Sequence, residues 1–213
     1  GVSFKLDSPW GASTISSNLF GRFNISNLLA TVCVLGVLDY DLDEIAEVIG
    51  HITNLPGRMQ AVRRTGQPLV VIDYAHTPDA LHKALLALRE HVSGEVWCVF
   101  GCGGNRDVGK RAEMGEIASQ NADHLIVTND NPRLEDPQEI VNDIVEGVDA
   151  GKEYEVELSR EVAISRAIRQ AGGQDVVLIA GKGHEAHQEI QGEKQAFSDF
   201  KVVEQCLDIA HLA

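Results

Sequence analysis

The chain has 213 residues, 44% of them apolar, enough for one large domain or a domain plus a further piece, and too apolar for global disorder. Eighteen Lys and Arg stand against 32 Asp and Glu, a formal charge of −14, which excludes a nucleic-acid or anionic-membrane surface as the main role but leaves room for a local basic pocket. No run approaches the ~20 apolar residues of a membrane span, and no signal peptide is legible.

The chain opens without Met, inside "GVSFKLD", which alternates like a strand and implies a piece of a longer protein. "VSFKLD" and "ASTISSNLF" flank the turn "SPWG" and predict a β-hairpin. "NISNLLATVCVLGVL" predicts a strongly apolar helix, with an exposed apolar patch where a missing sheet would cover it. "DLDEIAEVIGHI" predicts a shorter helix capped by Asp41 or Asp43. "NLPGRM" breaks the pattern, and residues 1–62 read as the tail end of another domain. Four cysteines (Cys33, Cys98, Cys102, Cys206) form no C-x-x-C pair and read as buried reduced thiols of a cytosolic protein rather than disulfides or a zinc site.

From residue 63 the pattern is regular. "LVVIDYA", "EVWCVFG", "HLIVTN", "YEVELS" and "DVVLIAG" predict short apolar strands. "TPDALHKALLALREHV", "VGKRAEMGEIASQN", "PQEIVNDIVEGV", "REVAISRAIRQA" and "SDFKVVEQCLDIA" predict the helices between and after them, with "HQEIQG" a short reversing strand. The fold class is α/β: a Rossmann-like, mainly parallel sheet with helices on both faces. Ligands of such sheets bind beyond the carboxyl ends of the strands, so four loops matter.

In "DYAHTPDAL", Thr77 and Pro78 serve as cap and first helical residue, leaving Asp73, Tyr74 and His76 at a strand end without a structural task. A carboxylate can hold ribose hydroxyls, and an aromatic and a histidine can flank a base or phosphate; a lone histidine is more often structural. In "FGCGGNRDVGKR", three glycines and the basic trio Arg106, Lys110 and Arg111 open a helix. The spacing is not G-x-G-x-x-G; the residues suit either an anion site or a tight turn with a solvated basic helix face. In "TNDNPRLEDP", Asp136 and Pro137 start a helix, and Asp130, Asn131 and Arg133 remain. In "AGKGHEAH", Gly181 and Gly183 admit a ligand to the backbone, and Lys182, His184 and Glu185 offer both signs of charge. Arg106 and Arg133 opposite Asp130 and Glu185 suit a zwitterion, because a guanidinium takes a carboxylate through two bonds and a carboxylate accepts from an ammonium.

"GRFNISN", "LPGRM", "DYAHTPDAL", "GCGGNRDVGKR", "DNPR" and "GKGHE", in this order, resemble the C-terminal half of a Mur ligase over essentially the whole chain. DNPR is the form that marks diaminopimelate-adding members rather than lysine-adding ones. The resemblance implies that residues 1–62 end a central ATP-binding domain and 63–213 form the C-terminal amino-acid-binding domain. It implies an ATP- and magnesium-dependent cytoplasmic ligation in peptidoglycan synthesis, in which the glutamyl carboxylate of UDP-N-acetylmuramoyl-L-alanyl-D-glutamate becomes an acyl phosphate that the incoming amine attacks. By position, Arg106, Asp130, Asn131, Arg133, Gly181 and Glu185 bind meso-diaminopimelate. Asn24, Asn27 and Arg58, with Asp73, Tyr74 and His76, bind ATP. No catalytic or metal-binding residue is implied here, because the family's phosphate loop, carbamylated lysine and magnesium-binding glutamate lie upstream; this piece alone should be inactive. The alternatives are a lysine-adding Mur ligase, whose substrate lacks a distal carboxylate for Arg133, and a stand-alone amino-acid-binding module, in which "GRFNISN" has no task. A nicotinamide-dependent oxidoreductase would need a glycine fingerprint after the first strand, which is absent.

Overall fold

A computed structural model describes residues 1–209 and divides the chain into two compact units, Gly1–Leu55 and Pro56–Ala213. In the first unit, β1 (Val2–Ser8) and β2 (Gly11–Ser17) pair antiparallel, Ser8 opposite Gly11 across the Pro9–Trp10 turn. Val2, Phe4 and Leu6 alternate onto one face, as a half-buried strand requires, and pack with Ile15 against Leu28 and Val32 of α1 (Phe23–Val37) and Ile45 and Ile49 of α2 (Leu42–His51). Asp41 is the α2 cap, accepting from the backbone N–H groups of Asp43 and Glu44. The buried stripe of α1 runs through Leu28, Val32 and Gly36. Cys33 lies one residue off that stripe and is exposed, against the expectation of a buried thiol. Val34, Val37 and Leu38 are 61%, 73% and 61% exposed, the apolar patch expected of this helix.

The second unit is the expected α/β layer structure. Its six-stranded sheet has the order β3-β4-β8-β5-β6-β7, formed by Gln60–Val62, Leu69–Asp73, Val176–Ala180, Val96–Phe100, His124–Val127 and Glu155–Val156. Only β3 runs antiparallel to its neighbour. The helices are α3 (Pro78–Arg89), α4 (Gly109–Asn121), α5 (Pro137–Val145), α6 (Arg160–Gln170) and α7 (Asp199–Ile209). Ala210, placed in the last helix by the sequence pattern, lies outside the described residues.

Strands β5 and β8 are buried along their whole length, which is why they read as unbroken apolar runs. Val70, Ile72, Trp97, Val99, Ile126, Val177 and Ile179 share one core with Ala163, Ile164 and Ile168 of α6 and Val203 and Leu207 of α7. Residues of the alternate register face the layer in which α3 packs on α4 and α4 on α5. The structure divides the chain after Leu55, earlier than the boundary expected after residue 62, because Gln60–Val62 pairs with β4 and belongs to the sheet. "HQEIQG" supplies β9 (His187–Ile190), which does reverse. It pairs not with the main sheet but with β10 (Glu193–Ala196), in a separate hairpin. Because β8 enters last, between β4 and β5, the loops after β4, β8, β5 and β6 gather at one end of the sheet.

Candidate functional site

A cleft of about 450 Å³ opens among those four loops. Arg106, Asp130, Asn131, Arg133, Gly181 and Glu185, all expected to face one amino acid, line it together, and so do Tyr74 and His76.

The loop after β6 is held against the glycine loop after β5. A Cβ on Gly101 would meet the Thr128 carbonyl oxygen at 1.9 Å, and one on Gly104 the Pro132 carbonyl oxygen at 2.0 Å. These two glycines permit backbone to lie on backbone, so their presence follows from packing without an anion. Glu135 ties the same loops, accepting from the Asn105 N–H and from Arg111 Nη2, which together hold its carboxyl below the usual range. Arg111 is buried, and its Nη1 donates to Asp143 at 2.8 Å. Lys110 donates to the His76 carbonyl oxygen at 2.6 Å. Of the basic trio, then, two have structural partners, and Arg106 alone stands exposed at the cleft with no ion pair among the described residues.

Arg133 has left-handed backbone, φ +54°. Its Nη1 donates to the Gly104 carbonyl oxygen at 2.7 Å, and its Nε lies 3.5 Å from the Glu189 carboxylate. The guanidinium is thereby fixed on two sides, with Nη2 taking no bond among the described residues. That is the preorganisation a bidentate partner needs.

Lys182, which the sequence offered only as one of three charges in its loop, organises this side of the cleft. Gly181 and Gly183 flank it, and it is fully buried. Its Nζ donates to Asn131 Oδ1 and Glu185 Oε2, each at 2.9 Å, and Asn131 Nδ2 donates to the same Glu185 oxygen at 2.8 Å. Asn131 Oδ1 also accepts from the Glu189 N–H at 3.0 Å. Asn131 therefore serves first to hold Glu185 in place. Burial would raise the Glu185 carboxyl, but the bonds from Lys182 and Asn131 outweigh it and leave it below the usual range. Asp130 behaves oppositely. Burial raises it, with Arg160 and Lys182 acting only partly against that, and its carboxylate accepts no hydrogen bond among the described residues. Gly181 has φ +115°, which favours glycine, and a Cβ there would also meet Asp130 Oδ2 at 2.6 Å.

Beneath these loops Arg160 is fully buried against Asp199, Nε to Oδ1 and Nη2 to Oδ2 both at 2.8 Å. Its nitrogens also donate to the Ala180 carbonyl oxygen at 3.0 Å and the Asn129 carbonyl oxygen at 3.2 Å, fixing the roots of two site loops. Cys102 lines the cleft, but burial pushes its thiol up to about 12, so it is no nucleophile.

On the β4 side, Arg58 lies over the Tyr74 ring at 4.7 Å, and Tyr74 meets His76 and His184 at centroid distances of 4.5 and 5.7 Å. His76 Nδ1 bonds the Tyr74 carbonyl oxygen at 2.7 Å. Asp73 accepts from the Met59 N–H at 2.7 Å, so its carboxylate has a structural partner; burial raises it on balance. Asn24 and Asn27 belong to the other unit, where Asn24 donates to the Phe20 carbonyl oxygen and Asn27 to Asn24 Oδ1. His184, which the sequence offered with Lys182 and Glu185 as a charge of its own loop, joins the β4-side cluster instead.

The family model for the Mur ligase glutamate ligase domain matches residues 57–183. Over 209 residues the chain is 51% identical to the UDP-N-acetylmuramoyl-L-alanyl-D-glutamate–2,6-diaminopimelate ligase of Chromobacterium violaceum, and 49% identical to that of Neisseria meningitidis serogroup A. Both alignments cover 97% of this chain and 42% of the relative, so the chain spans about two fifths of the curated relatives' length. A solved structure of a ligase of the same name is 42% identical, with a TM-score of 0.74 over 98% of this chain and 43% of its own. The UDP-N-acetylmuramate-alanine ligase of Thermotoga maritima, 18% identical at a TM-score of 0.69, shares the fold. With the match running from Arg58 through the loops after β4, β5 and β6 to Gly183, the chain belongs to the Mur ligase family.

Proposed function

We propose that this chain is the C-terminal portion of an ATP-dependent cytoplasmic ligase that adds meso-diaminopimelate to UDP-N-acetylmuramoyl-L-alanyl-D-glutamate in peptidoglycan synthesis. One observation carries the choice of amino acid: Arg133, fixed by the Gly104 carbonyl oxygen and Glu189, lines one cleft with Asp130 and Glu185. Diaminopimelate carries a zwitterionic head at the end away from the reacting amine. Arg133, with Arg106 beside it, takes the distal carboxylate, and Asp130 and Glu185 accept from the distal ammonium. So held, the near amine can be aimed at an acyl phosphate, which is how positioning accelerates a bimolecular step. Lysine has no distal carboxylate to pair with Arg133, which disfavours the lysine-adding reading.

Arg58, Tyr74 and His76 bind the nucleotide in this reading. Asp73, bonded to Met59, shapes that surface; residues 1–62 are the end of a central ATP-binding domain, and Asn24 and Asn27 are its nucleotide-binding residues. Among the described residues no three His, Cys, Asp or Glu side chains group to hold a metal ion. In this reading magnesium belongs to the parent enzyme, with its ligands in the part of the family's chain that lies upstream. No helix among the described residues is long and apolar enough to cross a membrane.

Steady-state kinetics of the full-length enzyme test the reading. Arg133→Ala should raise the diaminopimelate KM about ten- to hundredfold, the equivalent of ~1.5–3 kcal/mol for a bond to a charged group, with the ATP KM nearly unchanged and lysine use much less affected. Arg133→Lys should recover only part, because a point charge cannot make paired bonds. Equal loss for lysine and diaminopimelate, or loss of ATP binding instead, would overturn it. The chain alone should release no phosphate from ATP.

A further inference from the structure

We propose that Gln188 and Glu189 on β9 are positioning residues for the amino-acid end of the cleft. In this view the β9–β10 hairpin, outside the cleft lining, sets which amino acid is taken. The proposal rests on the reading of the cleft as a diaminopimelate site.

The loop that carries Asp130, Asn131 and Arg133 is polar, and both Asp130 and Asn131 are buried. A segment of that kind keeps its shape only if its backbone and side-chain polar groups find partners. The main sheet does not supply them, because β6 ends at Val127. The hairpin does. Gln188, itself buried, donates its Nε2 to the Asp130 carbonyl oxygen at 2.6 Å. The Glu189 N–H donates to Asn131 Oδ1 at 3.0 Å, and the Glu189 carbonyl oxygen accepts from the Arg133 N–H at 3.0 Å. The Gln191 N–H donates to the Arg133 carbonyl oxygen at 2.6 Å, and Arg133 and Ile190 form a bridge of parallel sense. The Glu189 carboxylate then sits 3.5 Å from Arg133 Nε. Asp130, Asn131 and Arg133 are thus each tied to β9.

These ties carry information about specificity for two reasons. Arg133 has φ +54°, a conformation a non-glycine residue keeps only when its surroundings hold it there. The bonds to its N–H and carbonyl groups, from Glu189 on β9 and from Gln191 in the turn that follows, are those surroundings. Second, recognition of a distal carboxylate depends on guanidinium direction, whereas recognition of an ammonium by carboxylates tolerates more play. Loosening β9 should therefore harm diaminopimelate use more than lysine use, a selectivity that simple destabilisation would not produce.

The test uses the full-length enzyme with Gln188→Met, which keeps side-chain size and removes the donor. The diaminopimelate KM should rise about three- to tenfold, the range expected for one net hydrogen bond. At saturation kcat should hold, the ATP KM should not move, and the ratio of diaminopimelate to lysine use should fall. Glu189→Ala, at a position less buried than Gln188, should shift the same ratio in the same direction by releasing Arg133 Nε. Thermal unfolding of both variants checks that the fold is kept. If diaminopimelate and lysine KM rise together, or neither moves in either variant, the hairpin is scaffold only and the inference falls. If the unmodified enzyme does not use diaminopimelate at all, the functional reading fails instead, and the two failures are told apart by that control.

Discussion

On the β6 and β8 side of the cleft, polar side chains are buried and tied to one another. Lys182 holds Asn131 and Glu185, the Arg160–Asp199 pair holds the loop roots, and β9 holds Arg133. On the β4 side, Arg58, Tyr74, His76 and His184 lean on one another through ring faces, with Arg58, His76 and His184 exposed. The contrast matches two kinds of ligand. A small zwitterion is recognised by direction, and direction requires donors and acceptors fixed before it arrives. A flat, larger group is recognised by area, and rings that can still adjust serve that purpose. The difference also predicts where substitution acts on stability as well as on binding, and where it acts on binding alone.

The sharpest way to break the tied side is Arg160→Met. It leaves Asp199 buried without a partner, and breaking a buried pair on one side costs about 3–5 kcal/mol. Urea unfolding should show that loss, or no folded protein. The double variant Arg160→Met/Asp199→Leu should recover most of the stability, since apolar replacements of buried pairs are often neutral. It should not recover diaminopimelate binding, because the Ala180 and Asn129 carbonyl oxygens lose their donor. Full recovery of both would mean that the pair matters for folding only.

A smaller break is Lys182→Met. Its bonds to Asn131 and Glu185 are charge-assisted, and their removal should weaken diaminopimelate binding about ten- to hundredfold, ~1.5–3 kcal/mol, read by calorimetry on the full-length chain. Nucleotide affinity should hold. A loss confined to nucleotide affinity would mean that the loop serves the β4 side.

These two residues also show where sequence reading stops. Strands and helices with a clear period were legible, from "LVVID" to "DFKVVEQC". β3 and β10 were not, because three or four residues such as "QAV" and "EKQA" are too short to show a period. The four loops were legible because their polar residues had no local task, and the six residues expected at the amino acid do line one cleft. What escaped was burial of charge. Arg111 reads as part of an anion site or of a solvated helix face, Lys182 reads as a charge offered to a ligand, and Arg160 carries no signal, since nothing local reveals that a partner such as Asp199, 39 residues on from Arg160, will meet it. Lys182 alone carried a hint, two flanking glycines at the end of a wholly buried strand.

Titration sharpens the comparison within the tied side. Carbon-13 NMR should find Glu185 titrating below the ordinary glutamate range and Asp130 above the ordinary aspartate range. The signs for stability differ accordingly. Glu185, depressed in the fold, adds stability that is fully present above its unfolded value and is lost as pH falls through its folded value. Asp130, raised in the fold, favours folding below its unfolded value, and that contribution is lost as pH rises through its folded value. In Lys182→Met, Glu185 should move back upward, because its main stabilising donor is gone. A Glu185 that titrates in the ordinary range in the unmodified protein would mean that the buried network is not formed in solution.

The smallest effect belongs to the β4 side. Arg58 is exposed, and its guanidinium lies 4.7 Å from the Tyr74 ring centroid. Exposed cation–π contacts contribute about 0.5–1 kcal/mol, so Arg58→Ala should leave the unfolding midpoint nearly where it was. Its effect should be on the nucleotide: the ATP KM should rise about two- to fivefold from the lost contact, more if the guanidinium also reaches a phosphate. The diaminopimelate KM should not change, because no bond among the described residues joins Arg58 to Asn131, Glu185 or Arg133. Tyr74→Phe should be milder still, since the ring faces that meet Arg58, His76 and His184 are kept. Tyr74→Ala should exceed Arg58→Ala, because it removes the ring on which the other three rest. If Arg58→Ala instead lowers stability as much as Lys182→Met does, the β4 side is also a locked network, and the contrast between the two sides of the cleft is not real.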